Sequence, residues 1–580
     1  MIAPRRLTTL IRTLRCVPGF TLLVLSLACA RRPASPRSPS GASQVVRAVA
    51  DDVERQFTDQ AADTASWAIV TEETAEQSAA QHRRWVAALE RAHPDDLIGT
   101  SDWALHANLL ERSRTQLAQR VCRFELWPLS TFSGWHLAMA EIARAGRFDT
   151  DSGRARNLAR FRALPAHVER EMARLRSGAA AGYTSPAPVV RAVVGQLDAL
   201  LPPDPLTSPL DAPASRNAQV ADEWRALVRS SVYPAVRRFR AFLLDEYLAA
   251  ARPSGSLATQ RDGAACYGAL LRTIAGREVD PRVVMADARF FLDSLLRELG
   301  PSARRLAGTD DTFEAIRLLR ADPRFTVADR DSLLGLYRAA MDRARAAMPA
   351  FFAHVTQVPV VVEPHGPAQE RAGFPAQYSA APFDRSRPAR VFVNLARNDR
   401  MNVGLAVAHE GFPGHHQERA MQSELPRPHP VIRRLGNSGY TEGWGLYSEW
   451  LADTMGIYAS ELERVGYQIH LTDAALGAIL DVGYHVLGWT REALVDSMMA
   501  TGGRSRQLAE AYADRHAATP SQIATYHIGY RAITTARREA RERMGARFDL
   551  REFHTAVLEE GVMPLTALED KLRRWSTERR

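Results

Sequence analysis

Lysine is almost absent from this chain of 580 residues, because Lys571 is the single lysine among 75 lysine and arginine residues. The net charge of +9 is therefore carried by arginine. The arginines are scattered, and no basic tract alternates with aromatic residues, as one does in many nucleic-acid-binding surfaces. This composition predicts a basic surface and argues against a nucleic-acid partner.

Cysteine is also scarce, with four residues in the whole chain. Cys16 and Cys29 lie near the N-terminus, and Cys122 and Cys266 stand alone further along. No spacing pattern links the last two, so the sequence leaves two interpretations open. Either they pair as a disulfide in an oxidising compartment, or they are two buried thiols.

Long apolar runs are missing beyond the N-terminus, where no stretch reaches the roughly 18 residues that a membrane-spanning helix needs. The N-terminus itself has several arginines before a short apolar run at residues 17–28. A charged segment followed by an apolar segment too short to span a bilayer is typical of an export signal. We therefore predict a signal peptide over residues 1–29 and a location in the periplasm or cell envelope.

The residues around the predicted cleavage site allow two outcomes. Cys29 follows Leu-Ala and resembles the lipidated cysteine of bacterial lipoproteins, although Ser26 stands where an aliphatic residue is usual. Lipidation of Cys29 would anchor the protein, whereas cleavage near Ala28 or Ala30 would release it. The only membrane contact that the sequence predicts is therefore this possible N-terminal lipid anchor.

The rest of the chain divides into a tether and one large domain. Residues 30–48 are rich in proline and serine and predict a tether that does not pack against the protein. The overall composition, with 46% hydrophobic and 24% charged residues, is that of an ordinary globular protein. Apolar residues at helical spacing, such as Trp224, Leu227 and Val228, predict helices that face a core. We predict a single, mainly helical domain over residues 49–580, and its oligomeric state stays open.

One region gathers more metal-binding side chains than any other. Residues 409–418 read His-Glu-Gly-Phe-Pro-Gly-His-His-Gln-Glu, and Glu442 follows in the sequence Thr-Glu-Gly-Trp-Gly. A catalytic zinc site takes three protein ligands and keeps one coordination position open. In the common short motif, two histidines four residues apart flank a glutamate that acts as general base. Here the fourth position after His409 is Pro413, which has no ligand atom, so the motif is interrupted.

The interruption determines which histidine completes the site. On an unbroken helix His415 is rotated away from His409, whereas His416 returns to the same face two turns along. Pro413 removes a backbone donor, and the glycine after it tolerates unusual dihedral angles. We therefore predict a bulge or kink at residues 412–414 that brings His415 to the metal. His416 is the alternative ligand, and a loop with solvent-exposed histidines is the alternative to a metal site.

The pattern His-Glu-x-x-Pro-Gly-His-His, followed by Glu-Gly-Trp-x-x-Tyr-x-Glu, resembles the bacterial domain-of-unknown-function 885 family, which is grouped with the zincin-type metallopeptidases. Further along, Tyr526-His-Ile-Gly, Arg537 and Phe548-Asp-Leu-Arg-x-Phe-His follow the same family pattern. The resemblance covers residues 360–580 closely, and residues 50–360 in helical character and length. It implies a two-lobed, mainly helical, zincin-like fold with a small β-sheet beside the metal-binding helix. It does not imply a particular substrate.

Two segments rich in β-branched residues, 358–362 and 390–395, precede the metal motif and predict strands. The residues between them, including 373–378 and 382–388, predict irregular turns. In zincin folds the edge strand of the small sheet pairs with an extended peptide substrate. On this basis Asn394 is a candidate substrate-binding residue, and a purely structural hairpin is the alternative. After the second strand, the sequence Asn-Asp at residues 398 and 399 predicts the start of the helix that carries His409.

The chemistry of zinc suggests a role for each residue of the motif. His409, His415 and Glu442 are the predicted ligands of a zinc cofactor. Glu410 adjoins the first ligand and is the predicted general base. Glu449 lies seven residues after Glu442, on the same helical face, and could orient a metal-bound imidazole. The alternative for Glu449 is a surface ion pair.

The remaining candidates lie outside the motif, apart from His416, which would support the ligands if it is not one itself. Tyr526 is the predicted hydrogen-bond donor to the developing oxyanion, and a purely structural tyrosine is its alternative. Tyr530 is the second candidate for this donor and a candidate for contact with the substrate. Asp481 and His485 lie four residues apart and either support the metal ligands or form a hydrogen-bonded core pair. Arg537 would bind the terminal carboxylate of a peptide, and a salt bridge to a neighbouring helix is its alternative.

The function predicted first is zinc-dependent hydrolysis of short peptides in the bacterial cell envelope. The runner-up is a zinc hydrolase of a non-peptide amide or ester, because the metal chemistry would be the same. A non-catalytic binding protein of the envelope is third, and the presence of His409, Glu410 and Glu442 argues against it. The sequence leaves open the side-chain preference and whether cleavage is internal or terminal.

Overall fold

The computed structural model describes residues 41–579, apart from residues 63–66, 68, 69, 132, 367, 368, 371–374, 383, 398 and 426–428. The predicted signal peptide, Cys29 and the first part of the predicted tether therefore lie outside the described residues. Gly373 and Asn398, which belong to the predicted turn and the predicted helix start, lie outside them as well.

The described residues are mainly helical, as predicted. The α-helices before the sheet are Gly41–Ala62, Glu72–Leu89, Asp102–Ala118, Trp135–Ala145, Asp151–Arg162, Leu164–Ala180, Ala187–Leu200, Ala212–Arg216, Ala218–Leu227, Tyr233–Phe242, Leu248–Ala250, Gly263–Ala275, Pro281–Ala307, Thr312–Ala321 and Arg330–Phe351. Two π-helical turns, Val228–Val232 and Leu243–Tyr247, continue helices of this group without a break.

A second group of helices follows the sheet. These α-helices are Val403–Glu410, His415–Ser423, Ser438–Thr454, Glu461–His485, Arg491–Gly502, Arg506–Ala518, Ala524–Met544, Leu550–Leu558 and Leu565–Glu578. Among the helices of the described ranges, none is both long enough and apolar enough to cross a membrane.

Several helices begin where a short polar side chain caps the first turn. The side chains of Asp280, Asp329, Ser460 and Thr490 each accept a hydrogen bond from a backbone N–H of the helix that follows. Such a cap satisfies one of the free donors at a helix start and stabilises the helix by about 1 kcal/mol. These aspartate, serine and threonine residues therefore fix where the helices start.

The helices enclose separate apolar cores. The largest core combines residues from the two ends of the described chain, such as Trp103 from an early helix and Trp444 from the metal region. Another core is built mostly from residues 135–247. In it the rings of Phe161 and Trp224 pack edge to face with centroids 4.7 Å apart, an arrangement that aromatic pairs prefer.

The predicted tether ends earlier than expected. The first helix, Gly41–Ala62, begins inside the predicted tether range 30–48, so the prediction is wrong from residue 41 onward. Val46, Val49 and Ala50 are buried and belong to one face of this helix. Their spacing of three and four residues is that of a helix with one buried face, and burying this face stabilises the helix although it begins with the flexible sequence Gly-Ala-Ser.

Cys122 and Cys266 form a disulfide bond, which settles the pairing that the sequence leaves open. The bond joins the 3₁₀ turn Gln119–Cys122 to the helix Gly263–Ala275 and closes a loop with a sequence separation of 144 residues. Both cysteines are buried in a small apolar core that is separate from the two larger cores and also contains Leu257 and Tyr267. A cross-link over such a long loop restricts the unfolded chain and stabilises the fold by a few kcal/mol, about 2–4 in typical cases.

The small sheet that the family resemblance implies is present. Strand β1 (Val360–Pro364) pairs in parallel with β3 (Ala389–Val393), and β2 (Gln377–Ser379) pairs antiparallel with β3, so the order is β1-β3-β2. Both predicted strands are therefore found, shifted by one or two residues. The alternative of a hairpin is wrong for them because β1 and β3 run in parallel. The predicted turn at 373–378 is also wrong at its end, since Tyr378 belongs to β2 at the edge of the described sheet.

Candidate metal centre

The metal motif lies on two short helices joined by a tight turn. The first helix, Val403–Glu410, ends directly after His409, and the second, His415–Ser423, begins at His415. The predicted distortion is thus a complete break of the helix and not a bulge within it. The indole N–H of Trp444 donates to the carbonyl of Pro413 at 3.0 Å and holds the turn in place.

The break brings three predicted ligands together. Nε2 of His409 lies 3.4 Å from Oε2 of Glu442, and Nε2 of His415 lies 3.8 Å from the same oxygen. The two imidazole rings are nearly perpendicular, with centroids 4.7 Å apart. Ligand atoms around a tetrahedral zinc with bonds near 2.0–2.1 Å are separated by roughly 3.3 Å. Two imidazoles and one carboxylate are ligand types that zinc accepts, and the two nitrogen–oxygen distances are close to this separation.

Glu449 supports His409 from the side away from Glu442. Its carboxylate is fully buried and accepts hydrogen bonds from Nδ1 of His409 at 2.7 Å and Nδ1 of His470 at 2.9 Å. In the neutral ring, a proton held on Nδ1 by this bond would leave Nε2, which faces the cluster, free to bind a metal. The sequence predicts this role for Glu449, but it gives no signal for His470.

Glu418 has a comparable place beside His415. One oxygen of its buried carboxylate lies 3.7 Å from Nδ1 of His415. Neither oxygen of Glu418 has a hydrogen-bond partner among the described residues. Sequence reasoning missed this residue, although its position three residues after His415 on a helix was a usable signal.

His416 does not face the cluster. Its Nε2 donates to the carbonyl of Val358 at 3.0 Å, and its Nδ1 lies 3.3 Å from the hydroxyl of Tyr378. Burial lowers the pKa of His416 to about 4, so its imidazole is neutral. Because both ring nitrogens have partners within the protein, His416 has no atom left to bind a metal. Its two contacts connect the helix His415–Ser423 to Val358 and to Tyr378 of β2.

Glu410 lies beside the two histidines. One of its carboxylate oxygens and one ring nitrogen each of His409 and His415 lie within 4.8 Å of one another. Its Oε2 accepts a hydrogen bond from the backbone N–H of Tyr378 in β2 at 2.8 Å. Burial raises the pKa of Glu410, and the nearby carboxylate of Glu442 adds to this effect against the pull of the two histidines. A carboxylate with a raised pKa is a better proton acceptor, as a general base requires.

The charges of the ligand set are strongly coupled. Burial alone would lower the pKa of His409, but Glu442 and Glu449 outweigh it and raise that pKa well above the ordinary value. Burial also opposes protonation of His415, yet Glu418 and Glu442 raise its pKa to about 9. Burial would raise the pKa of Glu442, but the two histidines hold it far below the ordinary value. Without a metal, both imidazoles therefore hold a second proton beside the ionised carboxylate of Glu442, and a bound metal ion would have to displace these protons.

Two glycines allow the close approach on which the site depends. A Cβ atom at Gly445 would lie 2.8 Å from Nε2 of His409, so a side chain there would displace the ring. Gly443 faces Gly529 of the helix Ala524–Met544, and their backbones leave no room for a Cβ atom on either residue. The glycines of the Glu-Gly-Trp-Gly segment thus let its helix touch both His409 and the neighbouring helix.

Tyr526 lies next to the cluster. Its ring centroid is 6.4 Å from that of His409. Burial raises the pKa of Tyr526, and the negative charge of Glu442 raises it further, so the hydroxyl keeps its proton. Tyr530 lies one turn along the helix, and its buried ring packs against Phe291 with centroids 5.4 Å apart. Its placement is that of a core residue, which gives no support to the predicted substrate contact.

Two predicted site residues are placed elsewhere. Asn394 is 3% exposed, and its side chain bonds the backbone of Glu370 and Ala396, because it folds back over the turn after β3. The prediction that it contacts substrate is wrong in this structure. His485 bonds the backbone of Leu257 and His516 through its two ring nitrogens, so it does not support the metal ligands. His485 is buried in the core, but the alternative of a hydrogen-bonded pair with Asp481 is wrong, because Asp481 bonds Tyr267 and His516 instead.

Comparisons with known proteins agree with this fold. A family model described as "Bacterial protein of unknown function (DUF885)" matches residues 56–572. No curated protein matches the chain. A crystal structure described as the "putative lipoprotein" from Colwellia psychrerythraea is 19% identical, with a TM-score of 0.77 over 93% of this chain and 100% of that chain. A structure described as a "putative lipoprotein of unknown function" from Shewanella oneidensis is 18% identical, with a TM-score of 0.75 over 92% of this chain and 99% of that chain. At these identities the likeness concerns the fold alone.

Proposed function

The chain belongs to the DUF885 family of bacterial proteins of unknown function, and we propose that it is a zinc-dependent peptidase acting on short peptides in the cell envelope. The observation that carries the proposal is the convergence of His409, His415 and Glu442. Each imidazole has a further carboxylate near its other nitrogen, which is the usual support for a metal-binding histidine. We also propose that the fold is zincin-like and two-lobed.

Each residue near the cluster has a task in hydrolysis. Zinc, when bound, supplies Lewis-acid chemistry: it polarises a carbonyl group and makes water a better nucleophile. Glu410 accepts the proton of the attacking water and then delivers it to the leaving amine. The hydroxyl of Tyr526 donates a hydrogen bond to the oxygen on which negative charge develops. Glu449 keeps His409 in the tautomer that a ligand needs.

The position of β2 supports a peptide as the substrate. This three-residue strand lies at the edge of the described sheet, next to Glu410, and Tyr378 is its central residue. An extended peptide can add to such an edge through backbone hydrogen bonds, without regard to its side chains. The strand would thus align the scissile bond with the cluster.

The proposed function is tested with the protein lacking its signal peptide and a mixed library of short peptides. We expect cleavage that stops when a chelator removes the metal and returns when zinc is added back. Cleavage that a chelator does not affect would contradict a metal-dependent mechanism. Hydrolysis of amide or ester reporters without any peptide cleavage would instead favour the non-peptide hydrolase.

Arg537 is expected to bind the terminal carboxylate of the substrate. Its guanidinium stacks on Trp450, with the central carbon 4.4 Å from the ring centroid. No carboxylate of the described residues forms an ion pair with it, and its buried Nε has no partner there, so the alternative of a salt bridge receives no support. We predict that a peptide is cleaved about tenfold or more faster than its C-terminally amidated form, because a charged hydrogen bond contributes about 1.5–3 kcal/mol.

The measurement compares the two peptides on the wild type and on Arg537→Ala, which should cleave both equally slowly. Arg538→Ala is the matched control, since Arg538 is exposed and pairs with Glu542 on the same helix. Equal cleavage of both peptides by the wild type would show that Arg537 does not recognise the terminus.

The protein is expected to be exported and anchored through Cys29. This proposal rests on the sequence of the N-terminus, and the structural neighbours described as lipoproteins are consistent with it. We predict that the wild type fractionates with membranes, whereas Cys29→Ser is released or stays unprocessed. Cys16→Ser, in the same leader, is the control and should behave as the wild type. If the wild type is found wholly in the soluble envelope fraction, the protein is secreted and is not anchored through Cys29.

A further inference from the structure

A cavity of about 450 Å³ lies among segments that are remote in sequence from the metal motif. Its wall is formed mainly by side chains from residues 124–130, by residues 134 and 135, and by His167, Glu171, Arg174 and Arg252, and residues near 186–189 and 517–520 complete it. None of the proposed zinc ligands lines this cavity. Its volume is in the range of small-molecule sites, about 300–1,000 Å³.

Arg252 gives the wall a positive charge that the protein does not balance. The residue is 6% exposed, and its guanidinium donates to the carbonyls of Thr184 at 2.8 Å and Ser256 at 2.7 Å. In the described part of the chain no carboxylate pairs with it, and its Nη2 has no hydrogen-bond partner. A buried charge without an opposite charge is costly, so an anion bound nearby would be stabilised.

The acidic groups of the wall are already neutralised by other arginines. Glu125 pairs with Arg120 at 3.1 Å and with Arg123 at 2.8 Å. Glu171 pairs with Arg174. The wall also contains His167, whose pKa burial lowers to about 4, so this ring carries no charge near neutral pH. Arg252 is therefore the unbalanced charge of the cavity wall.

The remaining wall is aromatic and apolar. The ring of Trp127 lies against the guanidinium of Arg252, with the central carbon 5.2 Å from its centroid. Trp135 and Val189 add flat and branched apolar surface. We propose that this cavity binds a small organic carboxylate with an aromatic body, whose carboxylate pairs with Arg252 while the ring packs among the tryptophans. Both free aromatic acids and the C-terminus of a short peptide have this chemistry.

The proposal is tested by calorimetric titration of the protein without its signal peptide, kept in chelator so that zinc plays no part. The ligands are 3-phenylpropionate, its amide 3-phenylpropionamide, and the dipeptide glycyl-phenylalanine. We expect 3-phenylpropionate to bind at one site and the amide to bind at least about tenfold more weakly, because a hydrogen bond to a charged group contributes about 1.5–3 kcal/mol. Binding of the dipeptide with similar affinity assigns the site to peptide termini, and its failure to bind assigns it to free acids.

Two variants separate the site from the stability of the fold. Arg252→Met should lose binding by tenfold or more, but it also loses the bonds to Thr184 and Ser256 and could unfold. Ala518→Trp keeps the arginine and fills the cavity from its rim, so the folded variant should not bind. The control is Arg261→Met, because Arg261 is exposed, stacks on Tyr183 and does not line the cavity.

The proposal would be overturned by any of three results: equal affinity for the acid and the amide, unchanged binding in folded Arg252→Met, or unchanged binding in folded Ala518→Trp. Absence of any binding by the wild type would overturn it as well. Because the titration is made without zinc, these outcomes are independent of whether the protein is a peptidase.

Discussion

Glu410→Gln is expected to lower kcat by about 100-fold or more and to leave the zinc content at the wild-type level. Glutamine has the shape of glutamate, and its amide oxygen can still accept the hydrogen bond from the backbone N–H of Tyr378. It cannot accept a proton from water at neutral pH. The loss should therefore fall on the chemical step, and substrate binding should change little.

The experiment measures kcat and KM for one peptide, together with zinc by elemental analysis. Glu424→Gln is the matched control, because Glu424 bonds His354 and Thr356 and has no contact with the cluster. A Glu410→Gln protein that retains full zinc and more than about a tenth of the activity would remove Glu410 from the mechanism. Loss of zinc in this variant would make it a ligand instead of the base.

We expect the wild type to bind about one zinc ion per chain. The variants expected to lose most of this zinc are His409→Ala, His415→Ala and Glu442→Ala. A site with two remaining protein ligands has too few bonds to hold zinc against water. His416→Ala should keep its zinc, because the ring nitrogens of His416 face Val358 and Tyr378. The measurement is elemental analysis after dialysis, with folding checked by thermal unfolding.

His429→Ala serves as a control for the loss of any histidine, since His429 pairs with Asp51 outside the cluster. Loss of zinc in His416→Ala together with its retention in His415→Ala would reverse the ligand assignment. If both variants keep zinc, the break between the two motif helices does not present a second imidazole, and the metal centre must be built differently.

The sequence predicts the parts of the centre that follow from local spacing. His409, Glu442 and Glu449 could be proposed because ligand chemistry and helical periodicity apply within one short segment. The choice between His415 and His416 could not be made in this way. It depends on how the chain turns at Pro413, and a helical extrapolation fails where the helix ends.

Contacts between segments that are distant in the chain could not be predicted from the sequence. His470 reaches Glu449 from another helix, and its surroundings contain no motif. Tyr378 lies in a strand of three residues, too short for any alternation of polar and apolar residues to be recognised. Asn394 shows the opposite error: a polar residue at a strand end suggested a cleft, but its side chain caps a turn.

The fold as a whole was predictable in type and only partly in detail. Mainly helical structure and both longer strands follow from periodicity and composition. The proline- and serine-rich composition of residues 30–48 predicts a tether, whereas the spacing of Val46, Val49 and Ala50 is that of the helix found from Gly41. The pairing of Cys122 with Cys266 brings together residues with no local relation, which only the folded chain can show.

Glu442 and Tyr526 are expected to move as one rigid body. Their helices meet backbone to backbone at Gly443 and Gly529, where no side chain lies between them to change rotamer. Tyr378 and Glu410, by contrast, are linked across the site by a single hydrogen bond. If a bound molecule moves the sheet relative to this pair of helices, we therefore expect the distance between the Glu442 carboxylate and the Tyr526 hydroxyl to stay constant.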